Sequence, residues 1–204
     1  MEYLQEKFAK KGLMILYTAP WPGQGFYTKF PVNSVSDFKG KKLRIYSTAT
    51  QQMGSMLGFN ATILPFAEIP QAFSTGLIEA LFTSPQTGID IQAWDNTKHF
   101  TYAGAIFSKN AVVVTKKAFN ALSKGDQSNM LAAAKKAELR GWEMSAETTK
   151  KQIGILKKNG MSSKNAPDEV ISKMKSIGLE MMKNWRSKAS PEANAVLDRY
   201  LSMR

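Results

Sequence analysis

The chain has 204 residues, of which 43% are hydrophobic and 22% are charged, as in an ordinary globular protein. It contains no cysteine, which excludes disulfides, thiolate metal sites and a cysteine nucleophile, and no apolar run approaches the ~20 residues of a membrane-spanning helix. A net charge of +12 favours anionic partners such as nucleic acid, anionic lipid or acidic small molecules. The lysines are dispersed and form no arginine-rich block, so nucleic acid binding is not predicted.

Residues 1–115 alternate strand-like and helix-like segments, which predicts an α/β layered structure. Gly12 and Gly76 are expected to end two of the helices. Strands are predicted over 13–18, 42–46, 61–64, 77–83, 100–107 and 111–115. Helices are predicted over 2–11, from Thr48 or Thr50 to about Gly58, over 65–75, and from Pro85 onwards, with a loop over 21–25.

Residues 116–204 have a helical pattern throughout. Helices are predicted over 117–122, about 126–158, 167–188, and from Ser190 onwards. The helix over 126–158 carries apolar residues at three- and four-residue steps. At 1.5 Å per residue it would extend ~50 Å, which is long enough to bridge two lobes.

Few residues support catalysis. His99 is the single histidine, so neither a zinc site nor a Ser-His-Asp triad is predicted. A structural role for His99 is favoured. The glycines at 23–25 are too few for a dinucleotide or phosphate loop. The carboxylates of residues 1–115 are scattered and suggest no acid–base pair. The sequence therefore predicts a protein that is not an enzyme and has no cofactor or metal.

Arg44 is the candidate binding residue. On a strand, Leu43 and Ile45 point to one side and Arg44 to the other. If that other side lines a cleft, the guanidinium offers a planar fork for a carboxylate. Periodicity alone favours the alternative of a solvated arginine on an open sheet face. By the same reasoning Phe66 would be a core residue near a helix start, and Ser84 a plain N-cap before a proline.

Three stretches that occur in a fixed order favour the binding interpretation of these residues over the structural alternatives. They are SDFKGKKLR at 36–44, the segment 57–76 that contains PFAEIPQAFSTG, and LIEALFTSP at 77–85. Together they resemble the solute receptors of tripartite ATP-independent periplasmic (TRAP) transporters. AFNAL at 118–122 and the long helix resemble the region that follows in that family.

The resemblance implies an α/β, periplasmic-binding-protein-like fold of two lobes (type II-like), here lacking most of the first lobe, with long C-terminal helices. It implies that residues 1–115 form mostly the second lobe with its hinge strands, and that 116–204 supply the bridging helix and C-terminal helices of the first lobe. The family's N-terminal segment is absent, and Met1 is followed by polar residues with no secretory signal. We therefore expect a truncated form of a periplasmic protein.

The resemblance also implies capture of a small organic acid for TRAP membrane permease subunits, without nucleic acid binding or membrane insertion. Arg44 would anchor the carboxylate and Phe66 would pack against the ligand. Ser84 and Ser47 would form hydrogen bonds to the ligand, and Trp21 would form a wall.

Some positions depart from the family pattern. Ser84 stands where several acid-binding relatives carry Asn, Glu79-Ala80 replaces the usual Asp-Gly, and a second arginine near 25–28 is absent. These departures favour a different ligand or subgroup. The alternative function is a basic helical module that binds an acidic protein or nucleic acid through residues 116–204, with steep salt dependence.

Overall fold

A computed structural model describes residues 1–203, apart from the side chain of Ala146. The chain forms two compact units. Unit 1 consists of Met1–Pro20, Lys109–Ser145 and Met181–Arg204, and unit 2 consists of Trp21–Ser108 and Ala146–Glu180. The units therefore interleave along the sequence. The assignment of 1–115 and 116–204 to two lobes stays a prediction.

Eight helices and eight strands make up the described residues. In chain order they are α1 (Glu2–Ala9), β1 (Leu13–Pro20), β2 (Gln24–Thr28), β3 (Lys42–Ile45), α2 (Thr48–Met56), β4 (Asn60–Ile63), α3 (Ile69–Ser74), β5 (Ala80–Thr83), α4 (Pro85–Asp90), β6 (His99–Ala105), β7 (Lys109–Thr115), α5 (Lys116–Asn120), α6 (Lys124–Lys158), β8 (Ser162–Asn165), α7 (Asp168–Arg186) and α8 (Pro191–Leu201). Short 3₁₀ turns lie at Val35–Phe38, Phe66–Glu68 and Ala93–Asp95.

Unit 2 is built on a six-stranded mixed sheet with the strand order β4-β3-β5-β2-β6-β8. Strand β2 is antiparallel to both of its neighbours, whereas the β3–β4, β3–β5 and β6–β8 pairs are parallel. Every strand except β2 therefore runs in the same direction. Their carboxyl ends share one edge of the sheet with the amino end of β2, and we call this the carboxyl edge.

Unit 2 has apolar clusters on both faces of the sheet, because successive strand residues point to opposite sides. The ring of Phe26 lies 4.9 Å from that of Phe38 and 4.8 Å from that of Phe82, measured between centroids. On the other face Tyr27 and Phe100 pack at 4.5 Å, together with Leu156 of α6. All six side chains are completely buried.

Unit 1 has a much thinner core. Its sheet contains only the antiparallel pair β1–β7, and two strands alone are marginally stable in water. Among its described residues four apolar side chains are buried, namely Ile15, Phe119, Ala134 and Ala193. Large apolar side chains are exposed by about half, including Leu131 (48%), Leu139 (53%) and Trp142 (51%) on one stripe of α6. Little buried apolar area therefore holds this unit together.

The predicted elements are largely confirmed, with five differences. The strand predicted over 77–83 begins only at Ala80. The predicted end of the loop over 21–25 is wrong, because β2 begins at Gln24. Strand β8 was not predicted, since SSKN has no apolar alternation. Helix α2 is capped by Ser47, whose backbone is extended, and not by Thr48 or Thr50. The helix predicted over 65–75 is a 3₁₀ turn followed by the shorter helix α3.

The long helix is confirmed: α6 has 35 residues and contributes to both units. Among the described residues, no helix is both long enough and apolar enough to cross a membrane. The described residues also contain no cluster of three or more His, Cys, Asp or Glu side chains that could hold a metal ion.

Acid is expected to destabilise unit 1 through Glu138. The Thr18 hydroxyl and backbone N–H both donate to Glu138 Oε1, at 2.8 and 3.1 Å, and these bonds hold the pKa of Glu138 below its ordinary value. A lowered folded pKa contributes stability at neutral pH that is lost as the pH falls through it. Glu138→Gln should reduce the acid dependence of unit 1 amide exchange between about pH 6 and pH 3, and an unchanged dependence would contradict this assignment.

Candidate anion-binding site

The carboxyl edge of the unit 2 sheet collects most of the predicted site residues. Arg44 lies in β3, where it pairs with Thr62 of β4 and Leu81 of β5. Ser47, Phe66 and Ser84 follow the carboxyl ends of β3, β4 and β5 in turn. Ligands of open α/β sheets bind at this end of the strands. The fold thus places residues that are far apart in sequence at one edge.

Arg44 is buried and held in place by one backbone carbonyl. Its side chain is 4% exposed, so the alternative of a solvated arginine is wrong. Nε and Nη2 donate to the carbonyl oxygen of Leu64, at 3.0 and 2.9 Å. Burial lowers the pKa of the Arg44 guanidinium from its ordinary value, yet an arginine in a protein remains charged. The guanidinium is therefore a fixed, buried positive charge.

Arg44 has no acidic partner among the described residues. The ion pairs there join Lys41 to Glu79 and Arg186 to Asp198. The guanidinium has five N–H groups, and two nitrogens share the single Leu64 carbonyl. Buried charges in proteins are paired, because an isolated ion loses several kcal/mol of hydration, about the effective penalty per ion. An unpaired buried cation with spare donors is suited to bind an anion.

Two residues that the sequence did not single out complete the surroundings of Arg44. Tyr46 lies two positions along the chain and presents its ring 5.9 Å from Arg44 Cζ, within cation–π range. Gln24, only 2% exposed, donates from Nε2 to Tyr46 Oη at 2.8 Å and to the Ile106 carbonyl at 3.1 Å. Tyr46 could have been found from the sequence, because it lies two residues after Arg44 and alternate residues of a strand point to the same side. Gln24 had no such signal, because its bonds cross 22 and 82 residues.

Ser47 and Ser84 both cap helices. The Ser47 hydroxyl accepts from the Thr50 backbone N–H at 3.2 Å, and the Ser84 hydroxyl accepts from that of Thr87 at 3.2 Å. Each also bonds to the threonine hydroxyl at 3.0 Å. Ser84 is 2% exposed. The plain N-cap interpretation of Ser84 is confirmed, and any ligand contact by these hydroxyls shares them with the caps.

Phe66 is exposed by 53%, so the alternative of a core residue is wrong. It lines a cavity of about 360 Å³ between the start of α3 and the end of α4, and Arg44 is not among the residues that line this cavity. Trp21 is partly buried and its backbone N–H donates to the Ser108 carbonyl at 2.8 Å, at the carboxyl edge. The structure therefore brings both residues to the same edge as Arg44 without showing contact with it.

An open α/β sheet with a buried arginine that has no acidic partner among the described residues is a candidate site for a small anion. Residues 1–188 match the family described as bacterial extracellular solute-binding protein, family 7 (DctP). The chain belongs to this family.

Solved structures of the family share the fold. DctP7, a Bordetella pertussis extracytoplasmic solute receptor binding pyroglutamic acid, is 38% identical with a TM-score of 0.94, over 98% of this chain and 66% of that chain. DctP6 from the same organism, also a receptor binding pyroglutamic acid, is 35% identical with a TM-score of 0.94, over 98% of this chain and 67% of that chain. A marine metagenome TRAP solute binding protein specific for pyroglutamate is 32% identical with a TM-score of 0.92, over 98% of this chain and 66% of that chain. The expected TRAP-receptor architecture is confirmed.

The chain is shorter than these relatives. It spans 66% of DctP7. A curated solute-binding protein from Chromohalobacter salexigens is 25% identical over 160 residues, which are 74% of this chain and 47% of that protein.

Proposed function

We propose that this chain is the anion-binding part of a TRAP solute receptor and that Arg44 anchors the carboxylate of its ligand. The observation that carries the proposal is the burial of Arg44 without an acidic partner among the described residues. A carboxylate accepts two parallel N–H bonds from a guanidinium, which orients the ligand as well as neutralising the buried charge. The Leu64 carbonyl fixes the guanidinium before the ligand arrives.

Charge at the carboxyl edge favours a ligand with one negative charge. Five described segments at the ends of β2, β3, β4, β5 and β6 contain no lysine or arginine, namely 21–23, 46–47, 64–68, 84–86 and 106–108. A second carboxylate on the ligand would therefore lack a cationic partner and lose its hydration without compensation. Pyroglutamate has one carboxylate on a neutral five-membered lactam ring, and it is the ligand named for the three relatives that are 32–38% identical. It is our first candidate.

The remaining predicted residues have secondary roles in this proposal. Phe66 is exposed and apolar at the edge, which suits packing against the ring of a ligand and excluding water from its carboxylate. Trp21 forms a wall, while Ser47 and Ser84 add hydrogen bonds beside their caps. The complete receptor would be periplasmic, close its lobes around the acid and deliver it to TRAP permease subunits, with residues 1–115 mostly in the second lobe.

Isothermal titration calorimetry with a small ligand set tests this function. Pyroglutamate should bind with one-to-one stoichiometry, glutamate should bind at least tenfold more weakly because of its second carboxylate, and neutral 2-pyrrolidone should not bind. Heparin serves as the polyanion control. If heparin binds tightly with steep salt dependence and pyroglutamate does not bind, the basic-module function replaces this one.

A further inference from the structure

The Tyr46 side chain lies beside Arg44 and carries a hydroxyl group. Unlike the hydroxyls of Ser47 and Ser84, this hydroxyl does not cap a helix. Side chains two residues apart on a strand share one face, so Tyr46 continues the row of Arg44 beyond the end of β3. Its ring lies 5.9 Å from Arg44 Cζ, and its side chain is partly buried. A small acid held by Arg44 would therefore contact Tyr46.

The position of the Tyr46 hydroxyl is fixed by a bond that it accepts. Gln24 Nε2 donates to Tyr46 Oη at 2.8 Å. Gln24 is held in turn, because Nε2 lies 3.1 Å from the Ile106 carbonyl and 3.3 Å from Ser108 Oγ. Three acceptors thus surround a Gln24 amide nitrogen that carries two hydrogens.

The phenol proton itself has a separate role. It is donated to Gln24 Oε1 at 3.0 Å, so Gln24 and Tyr46 bond in both directions. If the proton turns toward a ligand, the bond from Gln24 Nε2 still holds the phenol oxygen in place. A donor that can turn without moving its oxygen is pre-organised for binding.

We propose, resting on the carboxylate site above, that Tyr46 is a specificity-determining residue of this receptor. Its O–H donates to a neutral acceptor on the ligand, a carbonyl or hydroxyl oxygen close to the carboxylate that Arg44 holds. The class of ligand is then a monocarboxylate with a neighbouring hydrogen-bond acceptor. A monocarboxylate with a purely hydrocarbon remainder would leave that proton with Gln24 and gain nothing from Tyr46.

Two ligands of similar shape and three proteins test the proposal. Pyroglutamate and cyclopentanecarboxylate share a five-membered ring and a carboxylate, and only pyroglutamate has the ring carbonyl. Calorimetry is performed on the wild-type chain, on Tyr46→Phe, which keeps the ring, and on Tyr102→Phe. Tyr102 is a matched control because it is partly buried in β6 of the same sheet.

Tyr46→Phe should weaken pyroglutamate binding about tenfold, the effect of one lost hydrogen bond, and should leave cyclopentanecarboxylate unchanged within about twofold. Tyr102→Phe should change neither. Equal losses for the two ligands would assign Tyr46 to packing alone, and no loss for either would remove it from the site; both results overturn the proposal. If the wild-type chain binds neither acid, the carboxylate site itself fails, which is a different result from a chain that binds pyroglutamate without using Tyr46.

Discussion

Arg44→Ala is expected to abolish carboxylate binding, with a loss in affinity of at least about 100-fold. The reason is that the guanidinium is buried without an acidic partner among the described residues, and a charged pair that is removed from water costs about 2–5 kcal/mol when one partner is lost. Calorimetry with pyroglutamate measures this directly. Lys39→Ala, at an exposed lysine just before β3, is the matched control and should bind as the wild type does.

The same position should show the opposite effect on stability. Without ligand, Arg44 is a buried cation without a carboxylate, so Arg44→Met, which fills similar space, should raise the unfolding temperature of the ligand-free chain. The lost bonds to the Leu64 carbonyl, worth about 1 kcal/mol each, oppose but do not cancel this gain. A lower unfolding temperature together with unchanged ligand binding would show that Arg44 is structural.

Gly88→Ala is expected to destabilise unit 2 by about 3 kcal/mol or more. A Cβ at Gly88 in α4 would overlap the hydroxyl and ring of Tyr27. Tyr27 is completely buried in β2, and its hydroxyl donates to the Ser84 carbonyl at 3.2 Å, so neither group can move aside at low cost. The expected result is a lower midpoint of urea unfolding, measured by the fluorescence of the tryptophans.

Gly178→Ala in α7 is the matched control for Gly88→Ala. A Cβ at Gly178 would meet no atom within 4 Å, and alanine is the better helix former by about 0.5–1 kcal/mol. This control should therefore raise the urea midpoint slightly. If both substitutions lower the midpoint by the same amount, the close packing of α4 on Tyr27 is not what Gly88 protects.

The elements that sequence predicted well are those with a local signal. The three- and four-residue apolar steps located α6, and Pro85 and Pro191 marked the starts of α4 and α8. Strand β2 lacked such a signal, because its Gly25 is required by the neighbouring strand: a Cβ there would lie 2.5 Å from the Thr101 carbonyl. Contacts of that kind join residues far apart in sequence, and no local pattern reveals them.

The residues of the candidate site differ in the same way: some have a local signal in the sequence and others do not. Arg44 was found because its motif resembles the family's anchor, but its fixed position depends on Leu64, the residue that follows β4, whose carbonyl accepts two bonds from the guanidinium. Ser84 could be identified as a cap from the following proline alone. Gln24 carries no motif, and its bonds to Tyr46, Ile106 and Ser108 are visible only in the structure.

The uneven cores of the two units have a consequence for unfolding of the whole chain. Unit 2 contains nearly all of the completely buried side chains, while unit 1 has four buried apolar side chains among its described residues. The two units should therefore lose their structure in separate steps, with unit 1 first, and heating should give a broad, biphasic transition. A single unfolding temperature then reports on unit 2, and ligand stabilisation acting through Arg44 will be visible mainly in the upper step.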